Sequence, residues 1–536
     1  MPLEDEKHQR IYTELVNILG ADYVEDDRSI MEAFYHDMSG QSTLSKARVE
    51  FIVLPENTED VQKIIMLANK LQFPISISAS GLLMGTCSAV PGYDYWTWID
   101  PKRMNHIDVI DADNMYAIVE PSVTVGELQA ETMKVGLFTG HPGASSVCSV
   151  VGTNVFQNVH WTGWRTGVGN NLLGFEWVLP TGEILRTGML AQPGDRWACG
   201  EGPGPDLRGL MRGHVGHLGA FGVITRIALK LHNWPGPRIW PTEGVQNTKL
   251  SKLPQDMFSY HAISFPSLEK SIDAIMAIGK AELCGWLMKF SAIDFTMWYS
   301  NSMESFWAEW NSPFWTEQKE SGHMVALSLW GFAGTKQVEY EEKVLKDIIK
   351  EHDGWEFPEE YWVKSEALMN PCAVRDTYRH RFTRPGGCGA DTGMTAEAPY
   401  DVLRSWEIGS GVRLKWTPPL MDMGGDTKFW PSCFGRLTTH EQDNYGDRSE
   451  EFAKLSEIIA PETFRAELAV GSAGMSQVMM PMNAIGERYH NLHLYVANIK
   501  RALDPNNISN PTRVIDIKAL EGETESFDDG YRYGES

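Results

Sequence analysis

Two stretches of small residues are places where a backbone, more than a side chain, can do the binding. The first, Ser80-Gly81-Leu82-Leu83-Met84-Gly85-Thr86-Cys87-Ser88, directly follows the β-rich run Pro74 to Ser78. The second is Pro142-Gly143-Ala144-Ser145-Ser146-Val147-Cys148-Ser149-Val150-Val151-Gly152-Thr153-Asn154. Glycine lets the main chain approach a ligand closely, and successive inward N–H groups make an anion-binding concavity. Such turns suit a phosphate or diphosphate, and the hydroxyls of the second suit a sugar. Each alone also has the composition of an ordinary turn. Neither common nucleotide fingerprint occurs: Gly200-Glu201-Gly202-Pro203-Gly204 is broken by proline with no strand–helix pair around it, and there is no G-x-x-x-x-G-K-[ST] loop.

Side chains able to hold charge or move a proton lie elsewhere. Arg375-Asp376-Thr377-Tyr378-Arg379-His380-Arg381 is cationic within a chain of net charge −24. Arg375 and Tyr378 there could anchor a carboxylate or steady a developing anion, and a solvated helix face would read the same way. His160, in Asn158-Val159-His160-Trp161, and Glu397, in Met394-Thr395-Ala396-Glu397, are further general-base candidates. A structural histidine satisfies the pattern at 160 equally well.

The elements that must position these groups begin with Phe51 to Leu54, a helical period through Val61, Ile64, Ile65, Leu67 and Ala68 opened by a Thr58 N-cap, and Pro74 to Ser78. This order predicts β-α-β, with the first small-residue stretch at its exit. Further β-rich blocks run from Tyr93 to Asp100 and from Met115 to Pro121, and Val125 to Val135 predicts a helix ended by Gly136. Ile224 to Leu231 alternates like a half-buried strand and stops at Trp234-Pro235-Gly236-Pro237, the expected domain boundary. Beyond it Trp and Met become dense (Trp286, Met288, Trp298, Trp307, Trp310, Trp315) and Val338 to Ile349 is amphipathic. That density predicts either a packed core or an aromatic-lined substrate pocket.

Length and composition bound the rest. At 536 residues the chain exceeds one ordinary core, and 42% hydrophobic with 22% charged residues is a globular composition. The negative charge, with no basic stripe to offset it, argues against nucleic acid as a partner. Seven cysteines, none in C-x-x-C spacing, fit reduced thiols better than disulfides or zinc. The acidic start and the amphipathic run Ile11, Leu15, Ile18, Leu19 lack a signal-peptide core, and no window is long and apolar enough to span a membrane, so a cytoplasmic location is expected.

In their order these segments resemble the vanillyl-alcohol oxidase and p-cresol methylhydroxylase flavoproteins. Pro55-Glu56-Asn57-Thr58-Glu59-Asp60-Val61 is similar to that family's P-x-[ST]-x-x-[DE]-V, with Thr one place later. Family-like blocks follow at Asp100 to Asn105, Val119 to Thr124, the second small-residue stretch, Glu176 to Gly188, Gly219 to Thr225 and Ile499 to Pro511. The resemblance implies an α+β fold: a two-part FAD-binding domain of the p-cresol methylhydroxylase type (residues 1–236 and 490–520), an inserted α+β cap for substrate (237–489), and a flexible tail (521–536).

It also implies that Gly81, Leu82, Met84, Gly85, Thr86 and Cys87 hold the pyrophosphate of FAD. Pro142, Gly143, Ser146, Val147, Gly152 and Thr153 would line its other side, while Gly222 and Ile224 would meet the adenosine or ribityl portion through backbone groups. For Gly222 a simple strand bulge is the alternative. The implied activity is hydride removal from an alcohol or alkyl-aromatic substrate by an FAD-dependent oxidase or dehydrogenase. His160 would lie near the flavin ring, and Arg375 could stabilise its reduced, anionic form.

The pattern departs from the family in several places. The first stretch has no His for covalent flavin, and Cys433 or Phe434 stands near the cap attachment position, so dissociable FAD is expected. The catalytic Asp of the 4-phenol oxidase branch would fall near Ala144, and its Tyr-Arg pair has no counterpart in Glu467 to Gln477. The rival is a D-2-hydroxyacid dehydrogenase, whose H-x-G-D-G-N metal segment is only hinted at by His440 to Asn444, and no metal is expected. A flavin-binding protein without catalysis is the third reading. Electrons would pass to O₂ or to a redox protein, and the family suggests a homodimer or a multiple of it.

Overall fold

A computed structural model describes residues 6–32, 49–79, 93–140, 148–155, 171–192, 205, 207–213, 216–239, 242–243, 250–251, 253–300, 302–364, 388–397, 399–417, 428–432, 437–446, 450–451, 454–455, 458–459, 462, 482–484 and 486–520. The fold is α+β, with helices packed on separate sheets.

The first sheet joins β1 (Val24–Glu25), β2 (Phe51–Val53), β3 (Ile75–Ile77) and β4 (Thr97–Ile99) in the order β1-β2-β4-β3. Here β4 runs parallel to both β2 and β3, and β1 is antiparallel. The helix Thr58–Leu71 between β2 and β3 buries Val61, Ile64, Ile65, Leu67 and Ala68, and Ile11 and Leu15 of Glu6–Leu19 fill the same core. Burying each large aliphatic side chain is worth about 1.5–3 kcal/mol. The N-cap of Thr58–Leu71 is Asn57, whose side chain accepts from the Asp60 amide, and not Thr58 as expected. Thr58 opens the helix and spends its hydroxyl elsewhere, donating to Glu176 Oε1 at 2.7 Å.

A second, antiparallel sheet holds β5 (Ile107–Asp111), β6 (Tyr116–Val119), β8 (Leu172–Val178), β9 (Ile184–Arg186) and β10 (Val223–Lys230) in the order β5-β6-β10-β8-β9, while β7 (Leu137–Phe138) pairs with β11 (His232–Asn233). The strand expected to be half-buried, β10, is buried on both faces from Val223 to Leu229 apart from Arg226. It is the central strand, and both its faces meet apolar side chains. The helix Val125–Lys134 starts at a capping box between Thr124 and Glu127, and Gly136 beyond it takes φ 79°.

Past the short hairpin β12 (Thr242–Glu243) and β13 (Leu250–Ser251) comes a seven-stranded sheet. Its strands are β14 (Phe258–Phe265), β15 (Trp286–Phe290), β16 (His323–Trp330), β17 (Trp355–Glu356), β18 (Cys388–Glu397), β19 (Lys428–Ser432) and β20 (Leu437–Gly446), ordered β17-β14-β16-β15-β19-β20-β18. Helices Leu268–Lys280 and Thr335–Glu351 cover one face of it. Against the other lie Trp286, Trp315 and Trp330, all fully buried, together with Phe290, Phe295 and Phe306. The aromatic density beyond residue 237 therefore goes largely into a core, which also takes in Phe138 and Trp234 of the preceding segment.

The helix Leu492–Leu503 packs back on the second sheet, and Ser509 bridges in parallel to Ile75 of β3.

Candidate functional site

The segment that gathers the site is the tight turn Gly216 to Gly222. Gly216, Leu218, Gly219 and Gly222 all have positive φ, at 67°, 46°, 75° and 107°. A side chain at Gly222 would collide with the Val178 carbonyl and come within 2.7 Å of Trp177 Nε1, so the turn closes against β8 only because that position is glycine. The Trp177 indole seals the contact, donating to Phe221 O at 2.7 Å. Gly222 is thus a close-approach glycine, and Ile224 pairs with Trp177 with its side chain in the core.

Both small-residue stretches emerge beside this turn. A Cβ at Gly219 would sit 3.0 Å from Ile77, the last residue of β3 and the exit toward the first stretch. One at Gly216 would sit 3.2 Å from the carbonyl of Val155, which ends the helix Val150–Val155 leaving the second. The base of the second stretch is pinned on both sides. Asn171 donates to Thr139 O at 3.0 Å, and the amides of Val125 and Val150 reach Cys148 O and Val123 O at 2.9 and 2.8 Å.

Gly152 and Thr153 lie in that helix. The Gly152 amide donates to Ser149 Oγ at 2.9 Å, and the buried Thr153 hydroxyl reaches Ser149 O at 3.0 Å, so both polar groups serve the helix start. Asn154 beside them is 2% exposed. Its Nδ2 donates to Val150 O at 2.8 Å, while its Oδ1 is buried with no donor among the described residues. Such an acceptor lacks about 1–3 kcal/mol of stabilisation unless a ligand supplies the donor, and a hydroxyl-bearing nucleotide would do so. The site fits FAD in this respect.

Two residues that the sequence reading missed complete the site. His217 Nδ1 accepts from the Gly219 amide at 3.2 Å, which places the ring proton on Nε2, and burial lowers its pKa to about 4, so it is neutral at ordinary pH. The other is Lys500, fully buried, whose ammonium donates to Ala220 O at 2.6 Å, Asp504 Oδ2 at 2.5 Å and Ser509 O at 2.5 Å. Asp504 in turn accepts from the amides of Ile508 and Ser509 at 3.0 and 2.9 Å. Ser509 Oγ reaches Gly219 O at 2.8 Å, and Asn510 Nδ2 donates to Leu218 O. The Lys500–Asp504 pair therefore clamps the chain's end onto the turn. The sign available in the sequence was the spacing of four between Lys500 and Asp504, a spacing shared by many surface pairs.

On the far side of the same strands Glu176 accepts from Thr58, from Arg226 at 2.9 Å and from Arg186 at 2.8 Å. Burial would raise its pKa, but the hydrogen bonds of Thr58 and Arg186 and the charges of Arg226 and Arg186 prevail and hold it below the usual carboxylate range.

Of the other residues expected at the site, Gly81, Leu82, Met84, Gly85, Thr86, Cys87, Pro142, Gly143, Ser146, Val147, His160, Arg375 and Tyr378 lie outside the described residues. Glu397 ends β18 opposite Thr438, and its backbone alone is described.

With this geometry in hand, the comparisons assign a class. Residues 49–188 match the FAD binding domain family, so the stretch from β2 through the second small-residue segment to β9 is an FAD binding domain. Its cofactor is FAD. The fold as a whole is that of the p-cresol methylhydroxylase flavoproteins. It is similar to p-cresol methylhydroxylase with substrate bound, with a TM-score of 0.74 at 18% identity over 96% of this chain and 98% of that one. In sequence the chain is 32% identical over 211 residues to an uncharacterized FAD-linked oxidoreductase of Mycobacterium tuberculosis, spanning 38% of this chain and 42% of the relative. It is 28% identical over 223 residues to a glycolate oxidase subunit of Bacillus subtilis, 41% and 44% of the two chains. To the flavoprotein subunit of 4-cresol dehydrogenase from Pseudomonas putida it is 32% identical over 167 residues, 30% and 31% of the two. The aligned sequence thus spans less than half the length of these relatives. Among the described residues no helix is long and apolar enough to cross a membrane.

Proposed function

We propose that the chain is an FAD-dependent oxidoreductase acting on an alcohol or alkyl-aromatic substrate. The reading rests on the entry to the first small-residue stretch and the exit of the second, both within the FAD binding domain, abutting the turn Gly216 to Gly222. Bound flavin supplies hydride acceptance at N5. The chain's part is to hold and orient it. In this reading Gly81, Leu82, Met84, Gly85, Thr86 and Cys87 hold the pyrophosphate with Pro142, Gly143, Ser146 and Val147 on its other side, Asn154 Oδ1 accepts from a cofactor hydroxyl, and neutral His217 adds no charge. Residues 1–236 and 490–520 make the FAD domain and 237–489 the cap. His160, Arg375, Tyr378 and Glu397 are the side chains from which a base and an anion-stabilising group would come.

A D-2-hydroxyacid is the second substrate class, favoured by the likeness to a glycolate oxidase subunit. Stopped-flow reduction of the flavin by 4-alkylphenols, benzylic alcohols and D-2-hydroxyacids separates the two: fast reduction by an alkylphenol or benzylic alcohol supports the first reading, and reduction by hydroxyacids alone replaces it. Protein whose FAD none of these reduces is a binding protein. FAD is held non-covalently, so the supernatant of acid-precipitated protein turns yellow. Repeating the turnover assay in air and with artificial acceptors decides between O₂ and a redox protein as the electron sink.

A further inference from the structure

On the outer face of the seven-stranded sheet, under Thr335–Glu351, a line of polar side chains lies outside the FAD binding domain. Ser259 and His261 alternate along β14 to the same face, and Glu342 of the helix and Glu356 of the neighbouring β17 reach them from either side. Ser259 Oγ is 3.0 Å from His261 Nε2 and donates to Glu342 Oε1 at 2.5 Å. His261 Nδ1 is 2.7 Å from Glu356 Oε1. A cavity of about 270 Å³ opens on this line and is walled by Trp362 and Phe258, with Lys346 at its edge.

The Ser259–Glu342 distance is that of a nucleophile and its base, and His261, held by Glu356, lies beside the same oxygen. Ser259 is half-buried and His261 is 7% exposed, so the hydroxyl can be reached while the imidazole is fixed. The hydrogen bond from His261, ahead of burial, which acts the other way, holds the Glu356 carboxyl below the usual range, so it stays an anion facing the ring. Lys346 lines the same cavity, where its charge also helps to lower the Glu356 pKa, and it puts a cation beside an oxyanion formed there.

We propose that Ser259 is a nucleophilic serine whose proton passes to Glu342, the carboxylate it already donates to, with His261 beside the same oxygen and held there by Glu356, and that the cavity takes a small acyl ester. Oγ attacks the acyl carbon and its proton moves to the base. The bond from acyl carbon to alcohol oxygen then breaks, and the alcohol leaves with that proton. Water, giving a proton to the same base, cleaves the seryl ester and returns the hydroxyl. No oxidant or reductant enters, so this activity is independent of the flavin reading. The cavity lies below the ~300 Å³ of most drug-sized sites, which limits the ester to a few carbons on each side.

The test treats the FAD-loaded protein with a small fluorophosphonate and locates the adduct by peptide mass. The expected result is one adduct per chain, on Ser259, absent from Ser259→Ala and formed at least tenfold more slowly in Glu342→Gln, on the usual ~10²–10⁴ contribution of a catalytic base. The flavin spectrum should be unchanged in every variant. Glu356→Asp should recover more of the acylation rate than Glu356→Gln, which a purely structural role would not require. Failure of the wild-type protein to form an adduct, or an adduct that persists in Ser259→Ala, overturns the proposal.

Discussion

Replacing Lys500 with Met removes the ammonium that ties Leu492–Leu503 to the turn Gly216 to Gly222. Three donated hydrogen bonds disappear, and Asp504 keeps only the amides of Ile508 and Ser509 in a setting where its side chain has no exposure. Breaking a buried pair by deleting one member costs about 3–5 kcal/mol, because the remaining charge stays buried without its partner. The two retained amide bonds put the expected loss near 3 kcal/mol. At roughly 2–4 °C per kcal/mol for a domain of this size, the melting temperature should fall by about 6–12 °C. Differential scanning fluorimetry on the FAD-loaded protein reads this directly, and flavin fluorescence released on heating should rise at the same lowered temperature. Lys500→Met with Asp504→Asn should recover at least half the loss, since neither partner is then charged. If the single variant melts within about 2 °C of wild type, or the double variant melts no higher than the single, the clamp is not what holds the turn.

Gly222→Ala should lower stability by more than about 2 kcal/mol, combining strain at φ 107° with a collision at Val178, and purified protein should carry visibly less FAD; an unchanged 450 nm absorbance per chain would contradict the close-approach reading. His217 binds its proton near pH 4 in the folded protein, below the ordinary value of 6.5, so between these pH values the unfolded chain holds more protons and stability falls as pH drops. The shift is worth about 3 kcal/mol by pH 4, and urea melts of His217→Gln should show a shallower loss between pH 6.5 and 4 than wild type. Stripping the cofactor should lower the melting temperature, and FAD at ~100 times its dissociation constant should restore about 2.7 kcal/mol; identical melting of stripped and reloaded protein would rule out binding at this site.

The sequence was most readable where one local rule sufficed. Burial at helical spacing marks Thr58–Leu71, and the glycine stop after Val125–Lys134 stands where the residue pattern places it. Legibility failed where two residue types satisfy the same rule: Asn57 and Thr58 can each cap a helix, and the free hydroxyl of Thr58 was claimed by Glu176, more than a hundred residues away. It failed again where burial depends on distant partners. Alternation along β10 suggested one wet face, but β6 and β8 flank the strand and cores cover both its sides. Trp286 and Trp315 suited a core, with a pocket as the alternative, until the sheet and its helices were in place. In the site, small residues announced backbone binding, whereas His217 gave no local hint and Lys500 only an unspecific spacing from Asp504, since a buried imidazole and a buried ammonium are defined by what surrounds them.

The clamp also sets a timetable for biogenesis. Ala220 and Lys500 are 280 residues apart, so at ~5–20 residues per second a ribosome needs roughly 14–56 s after making the turn before it supplies the side chain that secures it. During that interval the nascent glycine-rich turn lacks its fastening.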